Sequence, residues 1–277
     1  WPTCLACDRM PHQQMKVRAV IFDLDETLIE EETSNDASVL AAGEIAHARR
    51  GVDRVALLAA LRKRSRELFL AGPLIDYCRN IGISTREALW GTFAGDDPSL
   101  AQLRQWMPTY RLESWWGALN ELGVDDRALA AELVEIFESD RSRRHVVFAE
   151  SERILHHLRK NFRLGLITNG APDIQGTKID GAKLASFFDT IIISGDHGFG
   201  KPDLRIFQLA LRRLEVAAHE AVMIGDSLNR DIAGARDAGI RTIWINRYQR
   251  TLSESHAVPD IELTDLRDLP TILIPTD

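Results

Sequence analysis

The sequence predicts an α/β fold in which a doubly wound parallel sheet carries an inserted helical domain. Five apolar runs of strand length are continuous rather than alternating, which is typical of strands buried on both faces of a parallel sheet. Amphipathic helical patterns alternate with the last four runs, as they do in α/β proteins. The expected strands are "VRAVIFDL", "RLGLIT", "TIIIS", "AVMIGD" and "RTIWIN".

The first expected strand is followed by a long stretch of helical periodicity. From residue 35 to about residue 144, runs such as "DRVALLAALRKRSRELFLAG" carry apolar residues at helical spacing, and no segment there predicts a strand. We therefore expect a helical domain over residues 33–144 and a sheet domain made of residues 16–32 and 145–277. An insertion after the first strand would lie over the carboxyl ends of the strands, where ligands bind in open α/β sheets.

Four further helices are expected around the later strands. They correspond to "SERILHHLRKN", residues 172–185, "DLRIFQLALRRLE" and "LNRDIAGARDAG", with Gly239 at the end of the last.

Composition narrows the functional class. The 277 residues are 45% hydrophobic and carry a net charge of -7, and the basic residues are scattered rather than gathered into a stripe. This disfavours nucleic acid as a partner and favours a small molecule. No apolar run approaches the roughly 18 residues of a membrane span, so we expect a cytoplasmic protein with no membrane partner. The sequence leaves open a monomer or a homodimer.

The three cysteines do not form a disulfide framework. Cys4 and Cys7 have C-x-x-C spacing, but no second pair completes a zinc site. We expect residues 1–15 to be a disordered leader.

Acidic side chains follow two of the expected strands. Asp23 and Asp25 end the first, and Asp226 ends the fourth. The carboxyl ends of parallel strands meet at one edge of a sheet, so these carboxylates should face one crevice, where they need a cation. Oxygen ligands without histidine or thiolate indicate Mg²⁺. Asp231, five residues after Asp226, is expected to support the ligands from behind.

Four motifs in order, "DLDETL", "LITNG", "GKPD" and "GDSLNRDIAGARDAG", resemble those of the haloacid dehalogenase-like (HAD) hydrolase superfamily. The resemblance covers roughly residues 17 to 250, and the helical insertion resembles the C1-type cap of that superfamily. Within it, the chain is similar to the branch of N-acylneuraminate-9-phosphatase, pyrimidine 5'-nucleotidase and flavin-mononucleotide phosphatases.

This resemblance implies a role for each motif residue. Asp23 would be the nucleophile, ionised at neutral pH because an ordinary aspartate has a pKa of about 3.9. Asp25, on the same side of the extended chain, would act as general acid and base. Lys201, the Thr168 hydroxyl and the Asn169 backbone N–H would bind the phosphoryl oxygens. The side chains of Asp23 and Asp226 and the backbone carbonyl of Asp25 would hold Mg²⁺.

The implied activity is hydrolysis of a small phosphorylated metabolite through an aspartyl-phosphate. Dehalogenases of the superfamily lack the second aspartate, which Asp25 supplies here. Residues 195–201 imitate a P-loop, but Pro202 has no hydroxyl for Mg²⁺ and no backbone N–H for phosphate, which disfavours an NTPase. A phosphomutase and a catalytically silent binding or scaffold homologue stay open as alternatives.

Overall fold

The structure is a computed structural model that describes residues 17–251 and 257–274. The expected leader at residues 1–15, with Cys4 and Cys7, lies outside the described residues.

Six parallel strands form one sheet in the order β3-β2-β1-β4-β5-β6, which confirms the predicted α/β class. The strands are β1 (Ala19–Phe22), β2 (Arg163–Thr168), β3 (Thr190–Ile193), β4 (Ala221–Gly225), β5 (Arg241–Ile245) and β6 (Ile261–Leu263). The sequence patterns predict the first five. They miss β6 because this edge strand has only three residues, of which Ile261 and Glu262 are exposed, so it carries no continuous apolar run.

Eleven α-helices lie in the described part of the chain. They are α1 (Glu31–Arg50), α2 (Arg54–Leu70), α3 (Ile75–Ile81), α4 (Thr85–Ala88), α5 (Pro98–Glu121), α6 (Arg127–Arg141), α7 (Ser151–Leu158), α8 (Pro172–Gly181), α9 (Leu204–Leu214), α10 (Ala233–Asp237) and α11 (Leu269–Leu273). A π-helical turn, Leu228–Ile232, precedes α10. None of the helices described here is both long and apolar enough to cross a membrane.

Strand β1 forms the centre of the sheet and is fully buried on both faces. Val20 and Phe22 pack into one apolar layer, and Ala19 and Ile21 pack into the other. Phe22 pairs with Leu166 of β2 and with Ile224 of β4. This register brings the residues that follow the three strands to one edge of the sheet, where the strand order reverses direction.

Helices α1 to α6 follow β1 and share an apolar core of their own. Trp115 and Phe137 are fully buried there, and Ile174 of α8 joins the same cluster. No strand is assigned between residues 31 and 150, all of which are described, in agreement with the helical periodicity of that stretch. The domain boundaries at residues 33 and 144 stay a prediction.

Candidate active site

The residues singled out by the motifs line one cavity at the carboxyl edge of the sheet. Its volume is about 350 Å³. The motif residues in its wall are Asp23, Asp25, Thr168, Asn169, Lys201 and Asp226. Helices α1 and α4 of the insertion also contribute to the wall, through Glu31, Glu32 and Glu87 among others.

Three carboxylates cluster at the site. Asp23, Asp226 and Asp231 each offer one oxygen atom, and these atoms all lie within 4.8 Å of one another. Asp231 is therefore a member of the cluster itself. The π-helical turn returns it to the end of β4, where its Oδ2 accepts a hydrogen bond from the Ser227 backbone N–H at 2.9 Å.

Lys201 lies against this cluster. Its Nζ is 2.5 Å from Asp23 Oδ1 and 2.7 Å from Asp231 Oδ1, and it donates to the carbonyl of Ile167 at 2.9 Å. The Lys201 side chain is only 2% exposed. Such burial is tolerated because the two carboxylates and the carbonyl replace the lost water.

The pKa of Asp23 is raised to about 7: burial is the largest cause, Lys201 opposes it, and Asp231 and Asp25 add to the rise. Burial likewise raises the pKa of Asp226 well above its usual range, with Asp23 and Asp231 contributing. Burial and like charges disfavour the ionised form of Asp23, so its pKa lies above the ordinary aspartate value of about 3.9 from which an ionised nucleophile is expected.

The donor set fits a hard divalent cation. The carboxylates of Asp23, Asp226 and Asp231 supply only oxygen atoms, and buried Lys201 together with Arg250, 3.5 Å from Asp226, offsets only part of their negative charge. A bound cation would favour the ionised carboxylates and relieve their repulsion.

Thr168 ends β2 and Asn169 follows it at the same edge of the sheet. The Asn169 side chain accepts from the backbone N–H of Lys201 and donates to its carbonyl, both at 2.9 Å, so it fixes the loop that carries Lys201. The Thr168 hydroxyl donates to Gln175 Oε1 at 2.9 Å. The Thr27 hydroxyl donates to Asp23 Oδ2 at 3.2 Å.

The Asp25 side chain lies outside the carboxylate cluster and contacts α8 instead. Both of its carboxylate oxygens accept from Lys178 Nζ at 3.0 Å. Sequence reasoning missed Lys178 and its neighbour Gln175. The sequence does contain a signal for them, namely two polar residues on the apolar face of a helix. Gln175 and Lys178 are three residues apart on the same face as buried Ile174 and Ile179.

Comparison with known proteins gives consistent matches along the chain. The family model for haloacid dehalogenase-like hydrolases matches residues 17–239. A phosphoserine phosphatase of Thermus thermophilus is 36% identical over 255 residues, which cover 91% of this chain and 98% of that protein. The N-acylneuraminate-9-phosphatase of Mus musculus is 30% identical over 261 residues, which cover 93% of this chain and 94% of that protein.

Among solved structures, the HAD hydrolase YfnB of Bacillus subtilis bound to magnesium superposes with a TM-score of 0.66 at 21% identity. The match covers 94% of this chain and 100% of YfnB. It shows that the two share a fold.

Proposed function

The chain belongs to the haloacid dehalogenase-like hydrolase family, and from this premise we propose that it is a Mg²⁺-dependent phosphatase acting on a small-molecule phosphomonoester through an aspartyl-phosphate. Relatives that match nearly the whole chain are named phosphatases of phosphoserine and of N-acylneuraminate 9-phosphate. The observation that carries the proposal is the contact of buried Lys201 with Asp23 in a cavity that Asp25 and Asp226 also line.

Mg²⁺ would be held by the side chains of Asp23 and Asp226, with the backbone carbonyl of Asp25 as a further ligand and Asp231 within reach. When bound, Mg²⁺ neutralises charge on the carboxylates and on the phosphoryl oxygens.

Asp23 acts as the nucleophile in the proposed reaction. Its carboxylate oxygen forms a bond to phosphorus as the bond to the leaving oxygen breaks, and Asp25 gives that oxygen a proton. Water then attacks the phosphorus of the aspartyl-phosphate and gives a proton to Asp25, which restores the Asp23 carboxylate and the protonated Asp25 and releases phosphate. Lys201 and the Thr168 hydroxyl stabilise charge on the phosphoryl oxygens in both steps.

Residues 33–144 act as a cap in this proposal. Glu31, Glu32 and Glu87 reach the cavity from helices α1 and α4, so the leaving group of the substrate would lie between the insertion and the edge of the sheet. Closure of such a cap would exclude water other than the attacking molecule.

The test is release of phosphate from para-nitrophenyl phosphate with and without Mg²⁺. We expect activity only with Mg²⁺, and Asp23→Asn should lower kcat/KM at least about 10³-fold. Asp237→Asn, which removes one exposed carboxylate from α10, is the matched control and should retain full activity. Equal activity of Asp23→Asn and the unaltered protein would contradict the proposal. If neither the unaltered protein nor Asp23→Asn releases phosphate from any of a panel of phosphomonoesters, a binding or scaffold role would be favoured.

A further inference from the structure

A fully buried lysine lies behind the proposed general acid. Lys178 Nζ is 3.0 Å from each oxygen of Asp25, 2.8 Å from Glu87 Oε1 and 3.5 Å from Glu31 Oε2. The Lys178 side chain has no exposed surface. Isolating an ammonium from water is costly unless it is paired and hydrogen-bonded, and here three carboxylates from three segments of the chain surround it.

Gln175, one turn before Lys178 on α8, contacts two of the same carboxylates. Its Nε2 donates to Glu87 Oε1 at 2.5 Å and lies 3.5 Å from Asp25 Oδ2, while its Oε1 accepts from the Thr168 hydroxyl. Lys178 and Gln175 therefore contact Asp25 from one helix face. Because Lys178 engages both oxygens, it restricts rotation of the carboxylate, which keeps 27% of its surface open on the cavity side.

The other two partners of Lys178 lie on helices α1 and α4. Glu31 begins α1 and also pairs with buried Arg141 at the end of α6. Glu87 lies on α4, where its second oxygen accepts from the Ser84 backbone N–H at 2.8 Å. The ammonium group of Lys178 has three N–H donors and no acceptor, so Lys178 acts on these carboxylates as a donor.

We propose that Lys178 is a positioning residue that orients the Asp25 carboxylate for proton transfer, and that its contacts with Glu87 and Glu31 make this orientation depend on the docked insertion. The inference rests on the proposed function, in which Asp25 protonates the leaving oxygen. Lys178 touches neither the substrate nor phosphorus in this scheme. It acts through Asp25.

The experiment compares two substrates of similar shape, para-nitrophenyl phosphate and phenyl phosphate. The nitrophenolate leaves with little need for a proton, whereas the more basic phenolate depends on the general acid. A misplaced Asp25 carboxylate should therefore slow hydrolysis of phenyl phosphate more than that of para-nitrophenyl phosphate. In Lys178→Met, we expect kcat/KM for phenyl phosphate to fall at least about tenfold more than that for para-nitrophenyl phosphate. Lys178→Arg, which keeps the charge, should restore part of the difference.

Lys183→Met is the matched control, because Lys183 is an exposed lysine just beyond α8. It should leave both values of kcat/KM unchanged. If Lys178→Met does not fold, Glu87→Gln replaces it: this variant keeps the shape but removes a charge that holds Lys178, and phenyl phosphate should again be the more affected substrate. An equal fall for both substrates, in whichever variant folds, overturns the inference.

A double-mutant cycle separates positioning from general damage. If Lys178 acts through Asp25, adding Lys178→Met to Asp25→Asn should lower kcat/KM no further, whereas a merely structural role would lower it again. Failure of the proposed function is distinguishable, since the unaltered protein would then release no phosphate from either substrate. If only the inference fails, the unaltered protein still releases phosphate, and the losses of kcat/KM caused by Lys178→Met and Asp25→Asn are additive.

Discussion

At the scale of single residues, the site consists of charged side chains that are almost completely buried. Lys201, Asp231 and Lys178 are 2%, 1% and 0% exposed, respectively. Buried ion pairs add little to stability, because desolvation offsets most of their attraction, and removing one partner leaves the other uncompensated. Such pairs are therefore better explained by chemistry than by folding, and the loss of one partner should lower both activity and stability.

Replacing Lys201 with methionine tests this directly. The variant removes the cation that lies against Asp23 and Asp231, so charge on the phosphoryl oxygens would lose its nearest protein donor. We expect kcat/KM for para-nitrophenyl phosphate to fall at least about 10²-fold. Lys160→Met, at an exposed lysine after α7, should have no effect. Less than about a fivefold loss in Lys201→Met would exclude a direct role for Lys201.

Single residues were predictable where a motif or a strand end marked them. Asp23, Asp25 and Asp226 follow apolar runs, so elementary sheet topology places them at one edge. Lys178 was not predictable in its role, because its partners Asp25 and Glu87 lie 153 and 91 residues away in the chain. The pKa of Asp23 depends on burial and on neighbours that only the folded chain brings together.

At the scale of helices and strands, apolar runs predicted the strands that the sheet buries. They could not predict edge strand β6, nor the π-helical turn before α10. That turn contains Asp231, and its wider repeat is seen in the Ile232 backbone N–H, which donates to the Ser227 carbonyl five residues earlier at 3.2 Å. The sequence predicts a regular helix start here, and that start would place Asp231 behind the metal ligands rather than among them. The one-residue difference in helical repeat leaves no trace in the apolar pattern.

The C-terminal end of α3 also shapes the site. Gly82, the cap residue of α3, has φ of +83°, and a Cβ atom there would come within 2.6 Å of Asn169 Cβ. Gly82→Ala should therefore displace the side chain that fixes the Lys201 loop. We expect a loss of about 1–2 kcal/mol in the free energy of unfolding and a roughly ten- to hundredfold fall in kcat/KM.

Gly51→Ala is the matched control for Gly82→Ala. Gly51 caps α1 with φ of +69°, and a Cβ atom there would meet nothing within 4 Å. Urea denaturation should show a loss of stability in both variants, since both place alanine in the left-handed region, and a larger loss in Gly82→Ala, which adds the clash with Asn169. Only Gly82→Ala should lose activity. Comparable activity losses in both would refute the role assigned to the contact with Asn169.

The segment that returns from the insertion to the sheet contains a pH-sensitive contact. His145 bonds through Nε2 with the Ser142 carbonyl at 3.0 Å, and its ring lies against Gly181 of α8. Burial lowers the pKa of His145, and Arg141 and Lys178 lower it further, against opposing effects of the Ser142 carbonyl and Glu31. The folded chain therefore takes up this proton less readily than the unfolded chain, so the contact is fully stabilising above the ordinary histidine pKa of about 6.5.

Stability should accordingly fall as the pH drops below about 6.5, because the unfolded chain binds the extra proton. His145→Gln should reduce this loss between about pH 8 and about pH 5.5, as measured by urea denaturation at each pH. His157→Gln, at an exposed histidine on α7, should follow the unaltered protein. A pH dependence in His145→Gln identical to that of the unaltered protein would contradict this assignment.

The whole molecule brings a helical insertion and a sheet together through polar contacts. Asn80 Nδ2 donates to the Gly198 carbonyl at 2.6 Å, and the Thr92 hydroxyl donates to Asp173 Oδ2 at 2.6 Å. The two segments that connect the insertion with the sheet lie side by side, since the Glu30 backbone N–H donates to the Val146 carbonyl at 2.8 Å. Such polar interfaces reopen readily, and paired crossings allow a hinge there.

Limited proteolysis tests this hinge. Mg²⁺ together with a phosphate mimic should favour the closed arrangement and protect residues 30–33 and 144–149 from cleavage. Either component alone should protect less. Identical cleavage patterns in the free and doubly ligated protein would rule out a hinge at these crossings.

The proposed mechanism depends most on Asp23 as the nucleophile, and chemical trapping tests this role directly. The protein is mixed briefly with Mg²⁺ and para-nitrophenyl phosphate, quenched in acid and reduced with borohydride, which converts an aspartyl-phosphate to homoserine. Fragmentation of the peptide by mass spectrometry distinguishes Asp23 from Asp25. We predict homoserine at Asp23, and only when both Mg²⁺ and substrate are present. Homoserine at a different aspartate, in protein that turns over substrate, would contradict the mechanism.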